Sequence, residues 1–334
     1  MASMTRHVWD LSEDDFPAAS SIETQLGFLL RYGILAPSTR NSQPWAFHIQ
    51  RNRVHFIADM RRALSIADPG RRELYISVGC ALENLLVAAE HFGFRHSVSY
   101  FPEPRDEELV ATATFEPGGS PSSARAGATL ESILRRHNDN SVFQAHPVPE
   151  WLRSRLTACR VEADLQVYLT HDHHFRRWID LLTVEADRIE FADPAFRREL
   201  AYWIGQRVFG ESRVVSRLEK LAVSRIDLGE SVARQDHEIV EGAALLGLIC
   251  ADGDSHPAHV RTGQLFERIW LTATESGLSI QPMSQTMRHP ELRAAVRELL
   301  PVQGWIPQHL FRVGFSSRPG EHHTPRRPLE GVLV

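Results

Sequence analysis

Between an apolar run, GFLLRYGIL, and an alternating one, AFHIQRNRVHFIADM, the chain carries APSTRNSQPW at residues 36–45. Ser38, Thr39, Asn41 and Gln43 are short hydroxyl and amide side chains that both donate and accept hydrogen bonds. Such a cluster either caps a helix and turns the chain or aims donors at a polar ligand. The residues alone leave both readings open. Two arginine doublets, Arg135–Arg136 and Arg326–Arg327, supply planar forks that match phosphate oxygens in pairs. Any one doublet is equally an ordinary solvated pair. Lys220 is the only lysine, so nearly all positive charge is arginine, which codon bias by itself explains.

Other reactive groupings carry less. HDHH at 171–174 places three imidazoles together, as a metal site needs, but no carboxylate or thiol is set beside them and a solvated turn accounts for them. DGDS at 252–255 is only superficially a metal loop and lacks the later ligands. His322 and His323 lie beside the second doublet, near an anion or on a mobile tail. Cys80, Cys159 and Cys250 are far apart and in no C-x-x-C spacing, which disfavours a disulfide framework or zinc knuckle. No phosphate-binding P-loop, dinucleotide fingerprint or nucleophile elbow occurs in the chain.

These groups must be positioned by a chain of 334 residues, enough for one large or two medium domains. Its 43% apolar content is ordinary for a globular core. A net charge of −5 disfavours a nucleic-acid partner. No run approaches a membrane span, MASMTRHVWDLSEDD has no signal-peptide core, and a cytoplasmic location is the expectation.

An internal repeat organises the rest. GCALENLLVAAEHFG at 79–93 and GQLFERIWLTATESG at 263–277 share Gly, then Glu four residues on, then Ala and Glu near the end, then Gly. Each predicts a helix ended by a glycine cap and followed by a strand-like segment. Two halves follow: residues 1–118, a Gly/Ser/Pro-rich linker at 119–127 within EPGGSPSSARAG, and residues 128–334. The first half predicts helices at 22–35 and 73–92 and strands at 45–50, 53–59, 96–101 and 109–115. The second predicts helices at 128–136, 149–158, 173–191, 194–209, 264–276 and 290–299, with strands at 164–170, 243–251 and 309–315. This mixture is α+β. Residues near 205–240 have no counterpart in the first half and read as an insertion.

A-P-S-x-x-N-x-Q-P-W after a helix, RRH at 135–137, W-L-T-A-T-x-x-G-L-x-x-x-P at 270–282 and TPRRPLEGVL near the C-terminus occur in family order. Together they resemble the nitroreductase family of flavin enzymes, and within it the twin-domain Acg-like subgroup. The resemblance implies a nitroreductase-like fold in which the two halves form an intrachain pseudo-dimer. Ordinary family members place FMN at a dimer interface, with R-R-S/H from one chain and the P-S-x-x-N-x-Q-P-W loop from the other. Here the first half keeps the loop but has IETQLGFLLRYG in place of the basic stretch. The second keeps RRH but has RLTACRVEADLQVY in place of the loop. The implication is one preserved site per chain, a monomer equivalent to a family dimer.

By the same resemblance, Arg136 with Arg135, His137 and Asn138, joined by Arg326 or Arg327, would hold the phosphate. Asp139 would repel it unless turned outward. Pro37, Ser38, Thr39, Asn41 and Gln43 would address the ribityl chain and the pyrimidine edge. Gln281, Pro282, Met283 and Ser284 would lie along the ring, with the Ser284 backbone near flavin N5. The implied activity is flavin-mediated hydride transfer from NAD(P)H to a small acceptor such as a nitroaromatic or quinone, with the flavin doing the redox chemistry and no obligate acid–base residue. The alternative is FMN storage under a closed lid formed near 205–240; a third reading is a decayed module without flavin.

Overall fold

The computed structural model describes residues 8–206, 237, 240, 244–301, 303–317 and 323–334. In chain order the helices are α1 (Ile22–Gly33), α2 (Arg72–His91), α3 (Leu130–Arg135), α4 (Glu150–Thr157), α5 (His173–Ala192), α6 (Pro194–Gly205), α7 (His256–Glu275), α8 (Gln285–Arg288) and α9 (Pro290–Glu298). The strands are β1 (Trp45–Gln50), β2 (Arg53–Ala58), β3 (Phe94–Tyr100), β4 (Leu109–Pro117), β5 (Leu165–Thr170), β6 (Leu245–Ala251), β7 (Ser279–Pro282) and β8 (Ile306–Gly314).

The strands form two antiparallel sheets ordered β1-β2-β4-β3 and β5-β6-β8-β7. In each half a strand pair precedes a long helix and a second pair follows it, so both halves have the same topology. β1 and β2 are joined by a tight turn at Arg51 and Asn52, whereas residues 171–244 separate β5 from β6. That interval holds α5, α6 and all of the predicted insertion. Within 205–240, the described residues are Gly205, Gln206, His237 and Val240; the rest of the predicted lid lies outside the described residues.

The repeated helices are the centre of the molecule. Ser255 caps α7 and Pro257 occupies its first turn, where a missing N–H costs nothing. The helix therefore starts well before the expected residue 264, through a stretch whose polarity resembles a loop. Gly93 and Gly277 follow α2 and α7 at φ +79° and +75°, the left-handed conformation of a C-terminal cap.

Gly79 and Gly263 mark where the two helices cross. A Cβ at Gly79 would stand 2.1 Å from the Val260 carbonyl oxygen, and one at Gly263 would stand 2.0 Å from that of Ile76. The contact is backbone to backbone and reciprocal, as a two-fold relation between duplicated halves requires. One hydrophobic core runs through both halves, from Leu26, Phe56 and Leu82 to Leu265, Ile269 and Phe311.

Two connections cross between halves. The predicted linker contains a short helical turn, Ser123–Arg125, and Arg125 is drawn inward to Glu83 at 2.6 Å and Glu90 at 2.7 Å. The C-terminal segment returns to the first sheet: Phe47 N donates to Val332 O at 2.8 Å and Val334 N to Phe47 O at 2.9 Å. That return carries Arg326 and Arg327 to the polar loop.

Among the described residues no helix is long and apolar enough to cross a membrane, and no cluster of three potential metal ligands occurs. Asp172 of the HDHH stretch caps α5 through Phe175 N at 2.8 Å. Asp254 of DGDS is engaged by Arg293 and by His259, both at 2.8 Å.

Candidate functional site

The polar loop after α1 is held in a conformation that these side chains do not choose freely. Arg40, Asn41 and Gln43 have φ of 53°, 49° and 50°. Non-glycine residues held there persist only when their surroundings over-determine them. Ser38 Oγ accepts from Gln43 N at 2.9 Å, and Thr39 Oγ1 donates to Glu73 at 3.1 Å. Asn41 Nδ2 donates to Pro325 O at 2.8 Å, while its Oδ1 accepts from Arg326 at 3.0 Å. Gln43 Oε1 accepts from Arg327 N at 2.7 Å. The loop and the C-terminal segment therefore fold as a single unit.

That unit forms one wall of a cavity of about 510 Å³, within the usual size range of small-molecule sites. α2 contributes Glu73, Ile76, Ser77 and Cys80; α7 contributes Phe266 and Trp270. Pro282 and Ser284 close the side where β7 turns into α8, and His309 looks in from β8. Arg136, His137 and Asn138 enter from the end of α3.

At one end of the cavity two guanidinium groups converge. Arg136 Nη2 and Arg326 Nη2 both donate to the Leu35 carbonyl, at 2.9 and 3.1 Å. Arg136 stacks over Trp270 at 4.6 Å and Arg326 over Trp9 at 5.0 Å. Burial pushes the pKa of both downward, most strongly for Arg326, which Arg136 also repels. Arginine nevertheless stays protonated in proteins. Arg326 Nε has no hydrogen-bond acceptor. Two buried like charges sharing one carbonyl are costly in isolation, and a doubly charged anion at this corner answers both charges together.

Pro37, Ser38, Thr39, Asn41, Arg136, His137, Asn138, Pro282, Ser284 and Arg326 of the residues singled out from the sequence line the cavity. The others, His323 at the rim apart, do not, and each has a local reason. Arg135 is on the outer face of α3 and reaches Glu131 one turn back at 3.4 Å. Gln43 lies behind the wall, bonded to the Arg327 backbone. Arg327 itself braces that strand edge through Gln43 O, Trp45 O and Gly331 O. Gln281 is engaged by Arg312 at 2.6 Å and by Asn140 at 3.0 Å. Met283 packs into a separate apolar cluster with Leu248 and Leu310. Asp139 turns away: its carboxylate accepts from Ser141 N and Oγ at 2.9 and 2.6 Å. His323 stacks on Trp9 with ring centroids 4.1 Å apart at the cavity rim; His322 lies outside the described residues.

The sequence reading missed Trp9, Arg40, Glu73, Ile76, Ser77, Cys80, Phe266, Trp270, Arg288 and His309. The pairs Ile76/Cys80 and Phe266/Trp270 stand one helical turn apart, a spacing that ordinary core helices share. His309 is 3% exposed with neither ring nitrogen hydrogen-bonded. Burial drops its pKa to about 4. The unfolded chain therefore binds a proton that the folded chain refuses between about pH 6.5 and 4. Stability contributed by this residue is present above pH 6.5 and lost as pH falls toward 4. Replacing it with phenylalanine is expected to remove up to about 3 kcal/mol of the acid sensitivity across that window, as read from urea unfolding at pH 7 and 4.5. An unchanged pH dependence in the variant would refute this.

The position related to the cavity by the helix duplication is filled. Where α2 presents small Ser77 and Cys80, α7 presents Arg261 and Gln264 at the same register from the paired glycines. Arg261 bonds Asp164, Gln264 joins Tyr100 at 2.6 Å and Glu83 at 3.0 Å, and Arg268 bridges Glu83 at 3.1 Å and Glu162. Asp164 and Glu162 come from the segment that stands in place of the polar loop.

No protein-family model matches the sequence. Individual relatives do. The Mycobacterium tuberculosis protein Rv3131 is 29% identical over 328 residues, covering 95% of this chain and 92% of its own. Acg from the same organism is 28% identical over 315 residues, with 89% and 92% covered. Both are provisionally named NAD(P)H nitroreductases. Among solved structures, the FMN-dependent nitroreductase NfnB from Mycobacterium smegmatis in complex with NADPH matches at 15% identity and a TM-score of 0.41, covering 60% of this chain and 96% of that one. Both mycobacterial matches run through both halves of the chain, and the likeness is to proteins named as NAD(P)H nitroreductases.

Proposed function

We propose that the chain is an FMN-dependent NAD(P)H oxidoreductase that binds one flavin in the cavity and reduces a small, flat acceptor such as a nitroaromatic or a quinone. The observation that carries this reading is the convergence of Arg136 and Arg326, from distant parts of the chain, at one end of a cavity with aromatic walls. A phosphate monoester answers their charge and the orphaned Arg326 Nε. The apolar surface of Ile76, Phe266, Trp270 and Pro282 suits a planar ring, and small Ser77 and Cys80 leave room for it. The nitroreductase names of the relatives support the same assignment.

FMN, when bound, would supply the redox chemistry of hydride transfer from nicotinamide to acceptor. The residues of the chain bind and orient. Arg136 and Arg326 anchor the anionic end. Asn41 holds Arg326 in place while itself tied to Pro325, so a ligand contact to the loop is backed by the C-terminal segment. Ser284, on the cavity wall at the turn into α8, would be the residue to offer its backbone N–H to the reactive ring nitrogen. No side chain has to transfer a proton for this reaction class.

The test is the visible spectrum of the purified protein, followed by denaturation and quantification of released flavin. About one FMN per chain is expected for a single complementary site. Two per chain would overturn the filled-mirror-site argument, and a colourless protein that fails to bind added FMN would overturn the cofactor. NADH and NADPH oxidation with and without acceptor then separates turnover from storage. Storage is favoured by one observation: Arg40 and Arg288, both on the cavity wall, are fastened to α6 and α5 through Glu199 at 3.3 Å and Glu190 at 2.8 Å respectively, and both guanidiniums lie over the Phe196 ring. Flavin that stays oxidised under excess NAD(P)H would decide for storage.

A further inference from the structure

Glu267 occupies the repeat position that Glu83 holds in the first half, yet its surroundings differ. Glu83 is gripped by Arg125, Arg268 and Gln264. Glu267 is fully buried and neither carboxylate oxygen has a close hydrogen bond, Asn84 of α2 offering only a weak one. Its near neighbour is Arg136, whose Nε stands 3.3 Å from Oε1. Around it stand Arg136 from the end of α3, Arg326 from the C-terminal segment, and Cys80 and Glu83 from α2. It sits directly behind the guanidinium pair and does not itself line the cavity.

We propose that Glu267 is the proton-linked counter-ion of this corner: ionised, it balances Arg136 and Arg326 while no anion is bound, and it takes up a proton from solvent when a phosphate monoester enters. The proposal rests on the flavin-nucleotide reading of the cavity. Its logic is electrostatic. A dianion beside Arg136 and Arg326 replaces the charge that Glu267 supplies, and a second carboxylate charge in a dry interior then opposes it. Protonation removes that opposition at the expense of one proton, leaving the guanidiniums to the ligand.

Neither Cys80 nor Glu83 titrates in its place. Burial pushes the Cys80 thiol well up, so it stays neutral, and the arginine partners of Glu83 outweigh its burial and keep it ionised. Burial raises the Glu267 carboxyl to about 7 against the pull of Arg136. Above pH 7 the free phosphate monoester is already mostly dianionic, its second pKa being about 6. Proton uptake on binding in that range therefore belongs to the protein.

The experiment is calorimetric titration of the apoprotein with FMN and with riboflavin, which lacks the phosphate, from pH 6.5 to 8.5 in two non-phosphate buffers of different ionisation enthalpy. Expected is proton uptake with FMN above pH 7, with affinity falling by up to about tenfold per pH unit. Riboflavin should show neither. Glu267→Gln should bind FMN without uptake and with a flat pH profile. A flat wild-type profile without uptake, or a variant that retains both, overturns the proposal. Should the variant not fold, uptake with FMN that persists in His137→Asn and is absent with riboflavin still decides for Glu267, and uptake lost in His137→Asn overturns the proposal. Riboflavin and FMN binding equally would refute the phosphate corner while leaving a flavin site; binding of neither would take down the flavin reading and this inference together.

Discussion

Alanine at position 79 or 263 will lower the stability of the protein by on the order of 3 kcal/mol. The sign is the informative part. In an exposed helix interior, glycine to alanine stabilises by up to about 1 kcal/mol. Here the new methyl would enter the carbonyl of Val260 or Ile76 at 2.1 and 2.0 Å, and the obstacle is backbone, which cannot rotate away. The helices must separate, and every core contact between the halves loosens with them. Urea unfolding of Gly79→Ala and Gly263→Ala measures this. Because the contact is reciprocal, both variants should lose similar amounts. Should either match or exceed the wild type in stability, the crossing described here is wrong.

Removing the Arg136 guanidinium will weaken FMN binding on the order of a hundredfold, the value of two or so charge-assisted hydrogen bonds in a buried site. Arg136→Ala takes away one of two cations at the anionic end and leaves Glu267 without its ion-pair partner. Lysine at that position should recover only part of the affinity, since it keeps the charge but loses the planar fork that reaches Leu35 and a phosphate together. Fluorescence titration with FMN and riboflavin reads both effects. The loss must be confined to FMN. An equal loss for riboflavin would mean that the variant has damaged the cavity as a whole.

Arg135→Ala is the matching control. Its side chain faces Glu131 on the surface of α3, so FMN affinity should change less than about twofold, in line with the small worth of exposed ion pairs. The resemblance put Arg136 first with Arg135 beside it, and the helix end separates them outright: one residue further along turns the side chain from solvent into the interior.

Much of the architecture is a local property and so is legible in the chain. The apolar periodicity of α1, α2, α5 and α6, the alternation of β1 and β2, and the capping glycines after α2 and α7 all follow from side chains within a turn or two of one another. The start of α7 is the exception, because a capping Ser255 and Pro257 look like a loop unless the helix beyond is seen to accept them. The repeat itself showed that the halves are related. It could not show that its leading glycines are the crossing point, since a close backbone approach leaves no mark in either sequence segment alone.

The site divides along the same line. Residue types fixed the kind of chemistry: short hydrogen-bonding groups in one loop, arginine forks near both ends of the second half, and a resemblance tying them to a flavin. Which residues face the ligand depended on contacts across the chain. Gln43 and Arg327 became mutual braces; Met283 went to a neighbouring core; Gln281 was engaged by Arg312. Phe266, Trp270 and His309 turned from ordinary core residues into cavity wall, because Ser77 and Cys80 opposite them are small. The sequence by itself determined the duplicated α+β framework and the stock of groups able to hold an anion. Only the tertiary structure decided that one interface between the halves stays open while Arg261, Gln264 and their ion pairs fill the other, because side-chain volume and charge balance are settled by neighbours far away in sequence.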